Sequence, residues 1–249
     1  MLSKSQIGFI KSLHQKKYRK ESGIFIIEGI KSIVEFIQSN YQIHSIYYLP
    51  QYRSLLPTLP ANINLFEVNN AELDKISTLQ APQGILALVR IPEASVFSPE
   101  KLKDTFTLVL DGVQDPGNLG TIIRTADWFG FKQILCSLNT VEAYNPKTVQ
   151  ATMGSLSRIQ IWYEDLPLAL KTSPVPLFGA VLNGHSVYKT NWGNEGLVIL
   201  GNEGQGISTE VLKLITQPVT IPRIGGAESL NVAVSAAILC ADISRNLQK

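Results

Sequence analysis

Arg124, Glu203, Ser229 and Asn231 are the residues of this chain best suited to chemistry, because each lies beside a glycine-rich break in an apolar run. In the first break Asp115-Pro116-Gly117 spells a turn, Asn118 can cap the helix that follows, and Gly120 permits close backbone approach. At about 100° per residue, Thr121, Arg124 and Trp128 share one stripe of that helix, with Asn118 at its mouth. Two readings of Arg124 stay open. It can pair with Asp127, three residues on, across a solvated face, or serve a ligand held where a loop leaves a buried strand. No G-x-G-x-x-G follows the strand, so the loop is not a dinucleotide fingerprint.

The second break is Gly201-Asn202-Glu203-Gly204-Gln205-Gly206, after the apolar run Leu197–Leu200. Three glycines suit a loop whose backbone touches a ligand, and Ser208 can cap the next helix. A plain strand-to-helix turn with a solvated Glu203 is the other reading. No Lys follows the last glycine, so it is no Walker loop. In the third break a strand-like segment ends at Ile221-Pro222. Gly225 and Gly226 open the backbone, and Glu228-Ser229-Leu230-Asn231 leads into a helix of small and apolar residues. Ser229 and Asn231 thus stand where a helix presents unpaired N–H groups. On that helix Asn231, Ser235, Asp242 and Arg245 fall within about 80°, a polar stripe that suits solvent, a subunit contact or a site.

The elements that must position these residues alternate between two periods. Strand-like runs are expected at Gly23–Ile27, Ile43–Leu49, Leu65–Val68 and Gly84–Val89, with helices at Glu28–Ser39 and Asn70–Leu79. Residues 92–104 carry two prolines and no sustained period, which reads as a linker. Beyond it, strands are expected at Phe106–Leu110, Gln133–Cys136, Ile159–Tyr163, Leu177–Val181, Leu197–Leu200 and Val219–Ile221. Helices fall between several of them, at Leu119–Phe129, Pro146–Met153, Leu166–Lys171 and Ser208–Ile215. The order predicts a compact α/β sandwich at 1–91, a linker at 92–104, and a mainly parallel α/β domain with helices on both faces at 105–249.

Composition narrows the function classes. With 45% hydrophobic and 17% charged residues, the chain is expected to be an ordinary soluble, cytoplasmic protein. Two isolated cysteines and three scattered histidines (His14, His44, His185) give no disulfide framework and no metal site. A net charge of +2 excludes a uniformly basic coat but leaves room for a local patch. Lys4, Lys11, Lys16, Lys17, Arg19 and Lys20 make one at the N-terminus, with Tyr18 among them. Lys16, Lys17, Arg19 and Lys20 are the candidate phosphate contacts; a charged N-terminal helix is the alternative. Tyr144-Asn145-Pro146-Lys147 offers a further loop.

In order and spacing the three breaks together resemble the signature motifs of the SpoU (TrmH-like) branch of the SPOUT RNA methyltransferases. Asn118-x-Gly120-x-x-x-Arg124 is similar to the first motif, Gly201-Asn202-Glu203-Gly204-x-Gly206 to the second, and Ile221-Pro222 through Ser229-Leu230-Asn231 to the third. The N-terminal part resembles the L30e-like substrate-binding domain often fused to this family. The resemblance implies a C-terminal trefoil knot, a rare exception among folds, and a homodimer formed through it. It also implies S-adenosyl-L-methionine as cofactor, contacted by Gly201, Asn202, Gly204, Ile221 and Leu230. The reaction would be methyl transfer to a ribose 2′-hydroxyl of RNA, with Arg124, Asn118, Glu203, Ser229 and Asn231 at the catalytic face. Glu203 could hold Arg124 in place. Ribosomal RNA is favoured over transfer RNA; a catalytically silent RNA-binding or ribosome-assembly factor is the third reading.

Overall fold

In a computed structural model, residues 1–60 and 63–248 are described, and they form two compact units. The first comprises Met1–Glu93 with Ala143–Ser157; the second comprises Ala94–Glu142 with Arg158–Lys249. The expected division keeps 143–157 with the C-terminal part, whereas the structure packs that segment with the first unit.

The first unit opens with two helices that strand and helix periodicity leaves unmarked, α1 (Lys4–Ser12) and α2 (Lys16–Ser22). Ser3 caps α1 in a reciprocal box with Gln6. Next come β1 (Ile24–Glu28), α3 (Ile30–Ile37), β2 (Ile43–Tyr48), β3 (Asn64–Glu67), α4 (Asn70–Ile76) and β4 (Ile85–Arg90). The four strands form one sheet in the order β1-β4-β2-β3, antiparallel except for β2 with β3. Residues 143–157 add a helix over Pro146–Thr152 that packs on β1. Tyr144 lies 4.7 Å from Phe25, ring to ring, and its hydroxyl is 3.4 Å from that of Tyr41. Phe25 in turn meets Phe36 edge-on at 5.8 Å. Burial pushes both tyrosine hydroxyls above their ordinary pKa, so both stay neutral and serve as packing groups.

The second unit is built on six parallel strands: β5 (Phe106–Asp111), β6 (Gln133–Ser137), β7 (Gln160–Glu164), β8 (Leu177–Ser186), β9 (Gly196–Gly201) and β10 (Gln217–Thr220). Their order is β10-β8-β9-β5-β6-β7. Its helices are α5 (Pro116–Trp128), α7 (Leu166–Lys171), α8 (Thr209–Leu212) and α9 (Val232–Leu247), α6 being the Pro146–Thr152 helix of the first unit. Val109, Leu135, Trp162, Leu197 and Ile199 pack with Leu166, Leu170 and Val211 in one core. The alternate residues Leu108, Leu110, Ile134, Cys136, Val198 and Leu200 are equally buried and point to the opposite face. There α9 packs on β9 and lies along α5.

Residues 94–104 are not an open tether. Ser95 accepts a hydrogen bond from the Trp162 indole at 2.8 Å, Phe97 packs on the same ring, and Leu102 is fully buried. The topology then sets where a site can form. All strands point the same way, so their C-terminal ends share one rim. The chain leaves β5 toward β6 and β7 on one side and later fills β8, β9 and β10 on the other. The chain direction therefore reverses between β5 and β9, the position at which open α/β sheets as a rule bind their ligands.

Truncating Tyr144 to alanine should lower the stability of the first unit by about 1–3 kcal/mol, the cost of removing a half-buried aromatic from a ring cluster. Urea unfolding, followed by amide exchange around Tyr41 and Phe25, reads the effect. An unchanged midpoint would show that residues 143–157 merely rest on that unit.

Candidate active site at the β5–β9 switch

The site starts with the backbone at the ends of β5, β6 and β9. Gly112 follows β5 with φ +75°, a conformation only glycine adopts freely. Its N–H donates to Ser137 Oγ at 2.8 Å, and its carbonyl accepts from Asn202 Nδ2 at 2.7 Å. One residue thus ties together the ends of three adjacent strands. Asp111, buried at the end of β5, accepts the Ser208 N–H at 2.7 Å and fixes where the loop after β9 turns into α8. Ser208 is the N-cap residue but makes no side-chain cap; its own N–H is held from below.

The loop Gly201–Gly206 closes on itself. Asn202 and Gly206 exchange two backbone hydrogen bonds of 2.9 Å, and Asn202 Oδ1 accepts from the N–H groups of Gly204 and Gln205. Both polar atoms of the Asn202 side chain have partners inside the protein, so it shapes the loop rather than reaching a ligand. Gly201 is required by space: a β-carbon there would overlap the backbone of Gly206 and Ile207. Glu203 and Gly204 stand at the exposed tip.

Helix α5 begins earlier than its apolar period suggests. Asp115 is its N-cap, accepting from the Asn118 N–H at 2.8 Å, and Pro116 occupies the first turn. Proline presets the helical φ there and its missing N–H is no loss, so capping falls to Asp115 rather than Asn118. Asn118 is thereby free to work sideways. Its Nδ2 donates to Glu203 Oε1 at 2.8 Å, and its Oδ1 accepts from Asn231 Nδ2 at 3.0 Å. Asn231 is the N-cap of α9, with Oδ1 accepting from the Ala233 and Val234 N–H groups at 2.9 and 3.3 Å. Residues from all three breaks therefore meet in one hydrogen-bonded row.

Arg124 is exposed on α5, with Thr121 and Trp128 also outward, and it has no hydrogen-bond or ion-pair partner among the described residues. Neither anticipated partner holds it. Asp127 takes the guanidinium of Arg158 instead, through Nη2 at 2.7 Å and Nε at 2.9 Å. Glu203 faces Asn118, so the carboxylate does not restrain Arg124. Ser229 and Leu230 lie in the exposed stretch before α9, and Ile221 just after β10 is half-buried. Within that stretch Ile224 is fully exposed and Arg223 donates to the Ala227 carbonyl at 3.2 Å. Asp242, expected on a polar stripe, is buried: it accepts from the Trp192 indole at 2.8 Å and pairs with Arg245 at 2.6 Å.

In the first unit the basic cluster divides. Lys16, Lys17 and Lys20 are exposed, but Arg19 is only 2% exposed and donates through Nη1 to the Leu13 carbonyl at 2.7 Å. It closes the end of α1 from inside, which removes it from the candidate phosphate contacts. Sequence reasoning overlooks Asp111, Gly112 and Ser137 as supports of the site. Their signal is a small or acidic residue at the very end of a buried strand.

This geometry belongs to a known class. Residues 105–241 match the SpoU rRNA Methylase family, and residues 4–87 match the MRM3-like substrate binding domain. The chain belongs to the SpoU rRNA methylase family. It is 34% identical over 234 residues to the 23S rRNA (guanosine(2553)-2'-O)-methyltransferase RlmP of Bacillus subtilis, covering 92% of each chain. Among solved structures it resembles a putative RNA methyltransferase of the TrmH family from Porphyromonas gingivalis, at 37% identity and TM-score 0.88, covering 99% of both chains. It likewise resembles an AdoMet-bound rRNA methyltransferase from Sinorhizobium meliloti, at 27% identity and TM-score 0.87, covering 99% of this chain and 97% of that one.

Replacing Gly201 by alanine should cost about 1–3 kcal/mol, because the added methyl must push the Gly206–Ile207 backbone aside. Thermal melting measures the loss. The same shift should detach Glu203 from Asn118, which proton exchange at the Asn118 side-chain amide would register.

Proposed function

We propose that the chain is an S-adenosyl-L-methionine-dependent methyltransferase acting on a ribose 2′-hydroxyl of ribosomal RNA. The observation that carries the reading is the meeting of Asn118, Glu203 and Asn231 at the β5–β9 switch, on the same unit as Arg124, which has no partner among the described residues. The relatives' own substrates support ribosomal over transfer RNA.

The residues fit the cofactor. An adenosyl group needs apolar cover and backbone hydrogen bonds more than charged side chains. Gly201 ends β9 at the rim and Gly204 stands at the exposed loop tip, and Ile221 and Leu230 add apolar surface, Leu230 being 49% exposed. Asn202 contributes by holding that loop. When bound, S-adenosylmethionine would supply an electrophilic methyl group on a sulfonium: the ribose oxygen would take the methyl carbon, the sulfur would keep the C–S electron pair, and the hydroxyl proton would pass to water. Oxygen, carbon and sulfur must lie nearly in line, so positioning supplies much of the acceleration. Arg124 acts as a clamp on the RNA phosphate and on charge developing at the attacking oxygen, since a guanidinium remains protonated and is a poor base. Ser229 orients the ribose from the segment before α9, which Asn231 holds in place through Asn118 and the Ala233 and Val234 N–H groups.

The first unit holds the RNA through Lys16, Lys17 and Lys20, with Tyr18 offering an aromatic face 39% exposed. Two copies associate through the α5–α9 region: Trp128 is 82% exposed, and Val234 and Leu247 are about half exposed on the neighbouring helix, a liability on a lone subunit. Threading of α9 as a trefoil knot is part of the same reading. So is a cytoplasmic location beside ribosomal RNA; no helix among the described residues is long and apolar enough to cross a membrane.

Transfer from labelled S-adenosylmethionine to unmodified ribosomal RNA tests the reaction. Arg124→Ala should reduce kcat by about 10²–10³-fold while cofactor affinity holds. Cofactor binding without transfer to any RNA would instead make the chain a silent RNA-binding factor. Replacing Lys16, Lys17 and Lys20 together by alanine should lower the slope of log affinity against log salt by about 2–3. An unchanged slope would move the RNA surface elsewhere.

A further inference from the structure

The row of side chains through Asn118 has a direction. At one end stands Glu203, which as a carboxylate only accepts; at the other stand the N–H groups of Ala233 and Val234, which only donate. The two amides between them can satisfy both ends in one orientation only. Helix N–H groups donate to Asn231 Oδ1, Asn231 Nδ2 donates to Asn118 Oδ1, and Asn118 Nδ2 donates to Glu203 Oε1. All the amide dipoles therefore align between the positive end of α9 and one carboxylate.

We infer that Glu203 is a positioning residue: it supplies the acceptor that holds the Asn118 amide in the one orientation compatible with Asn231 on the α9 N–H groups, and so fixes the start of α9 and the Ser229–Asn231 segment at the site. This rests on the proposed methyl-transfer reading for its activity readout only. Three features carry it. Glu203 reaches the first motif rather than Arg124. Asn118 is released from capping because Asp115 already caps α5. Asn231 has one polar end on α9 and the other on Asn118, so a reversed Asn118 amide would set NH2 against NH2 and break the row. The row also spans the N-terminal ends of two helices that run side by side, α5 and α9, whose far ends are joined by Ser244 Oγ on the Phe129 carbonyl at 3.0 Å. Turning one amide therefore disturbs the relation of both helices at the site.

The orientation rule makes an exchange of carboxylate and amide between the two positions the decisive experiment. In Glu203→Gln the side-chain amide oxygen can still accept from Asn118, so the row survives and kcat should stay within about fivefold of wild type. In Asn118→Asp two carboxylates face each other, the row breaks, and kcat should fall on the order of 10- to 100-fold, the range of a lost charge-assisted hydrogen bond. In the double variant the amide introduced at position 203 donates to the carboxylate introduced at position 118, which also accepts from Asn231. The row is rebuilt with the carboxylate one place nearer α9, and kcat should return to within about fivefold of wild type. The same four proteins are melted, and the two positions should show coupled, non-additive shifts with the double variant restored. That thermal coupling is read whether or not methyl transfer occurs, so a wild type that transfers no methyl group fails the functional reading alone. A Glu203→Gln variant as inactive as Glu203→Ala, or a double variant that neither melts nor turns over better than Asn118→Asp, would overturn the inference: Glu203 would then touch substrate directly.

Discussion

The second unit depends on one constraint: three strand ends must meet within hydrogen-bond reach at the β5–β9 reversal. Gly112 satisfies it, using its N–H on β6 and its carbonyl on the loop after β9. Neither bond is strong, each contributing about 0.5–1.5 kcal/mol net. Their value is geometric. A side chain at 112 would strain a φ of +75°, and a β-carbon at 201 would drive the β9 loop into its own return path. Once these two backbones are seated, Asn202 folds the loop tip and Asp111 aims its exit, so Glu203 arrives on the side where α5 begins. Sheet topology decides where the loops gather; two glycines let their backbones approach closely enough for side chains from separate loops to touch.

The helices follow from the same rim. Both α5 and α9 start there, so their positive ends converge on one place, which favours phosphate or developing negative charge. Burial of Asp242 beneath Trp192 belongs to this arrangement. A carboxylate only 6% exposed is tolerable because the indole N–H and Arg245 both satisfy it. The residue that completes a polar stripe on a helical wheel is here an internal anchor for α9. Arg245, one turn further on, remains half outside. Angular position on one helix says nothing about which neighbour covers which part of the stripe.

That distinction separates what is legible in the chain from what is not. Strands such as Phe106–Asp111 and Gly196–Gly201 show because a buried parallel strand must be continuously apolar, and the expected spans match them to within a residue at each end. The three breaks show for a related reason: glycine and asparagine clustered after an apolar run mark backbone that must turn sharply or be approached closely. Partners do not show. Asn118 reads as a cap because capping is the local use of asparagine, yet Asp115 does that work three residues earlier. Asp127 and Glu203 are the natural partners for Arg124 on paper, whereas Arg158, more than thirty residues away in sequence, takes Asp127. Arg19 groups with the lysines around it, and only the burial of the α1–α2 corner reveals its different task. Residues 143–157 depart for the same reason on a larger scale: nothing local in Tyr144 states that its ring belongs with Phe25 and Tyr41.

Net charge also takes on a different meaning once residues are placed. A total of +2 is too small to steer a polyanion across the whole surface. At physiological salt, however, charges act over about 8 Å, so what matters is the local density on one face. Removing Arg19 from that face leaves Lys16, Lys17 and Lys20 on a single short helix, spaced so that Lys16 and Lys20 stand one turn apart. Three ammonium groups on flexible stems tolerate many phosphate geometries and specify none. Sequence discrimination in the proposed reading must then come from groups that read shape or bases, and the exposed Tyr18 ring with Lys17 5.8 Å above it offers such a surface beside the lysines. On this reading the lysines supply attraction and the aromatic face supplies choice. On the same reading the second unit needs only to recognise what every RNA offers, a phosphate beside a 2′-hydroxyl.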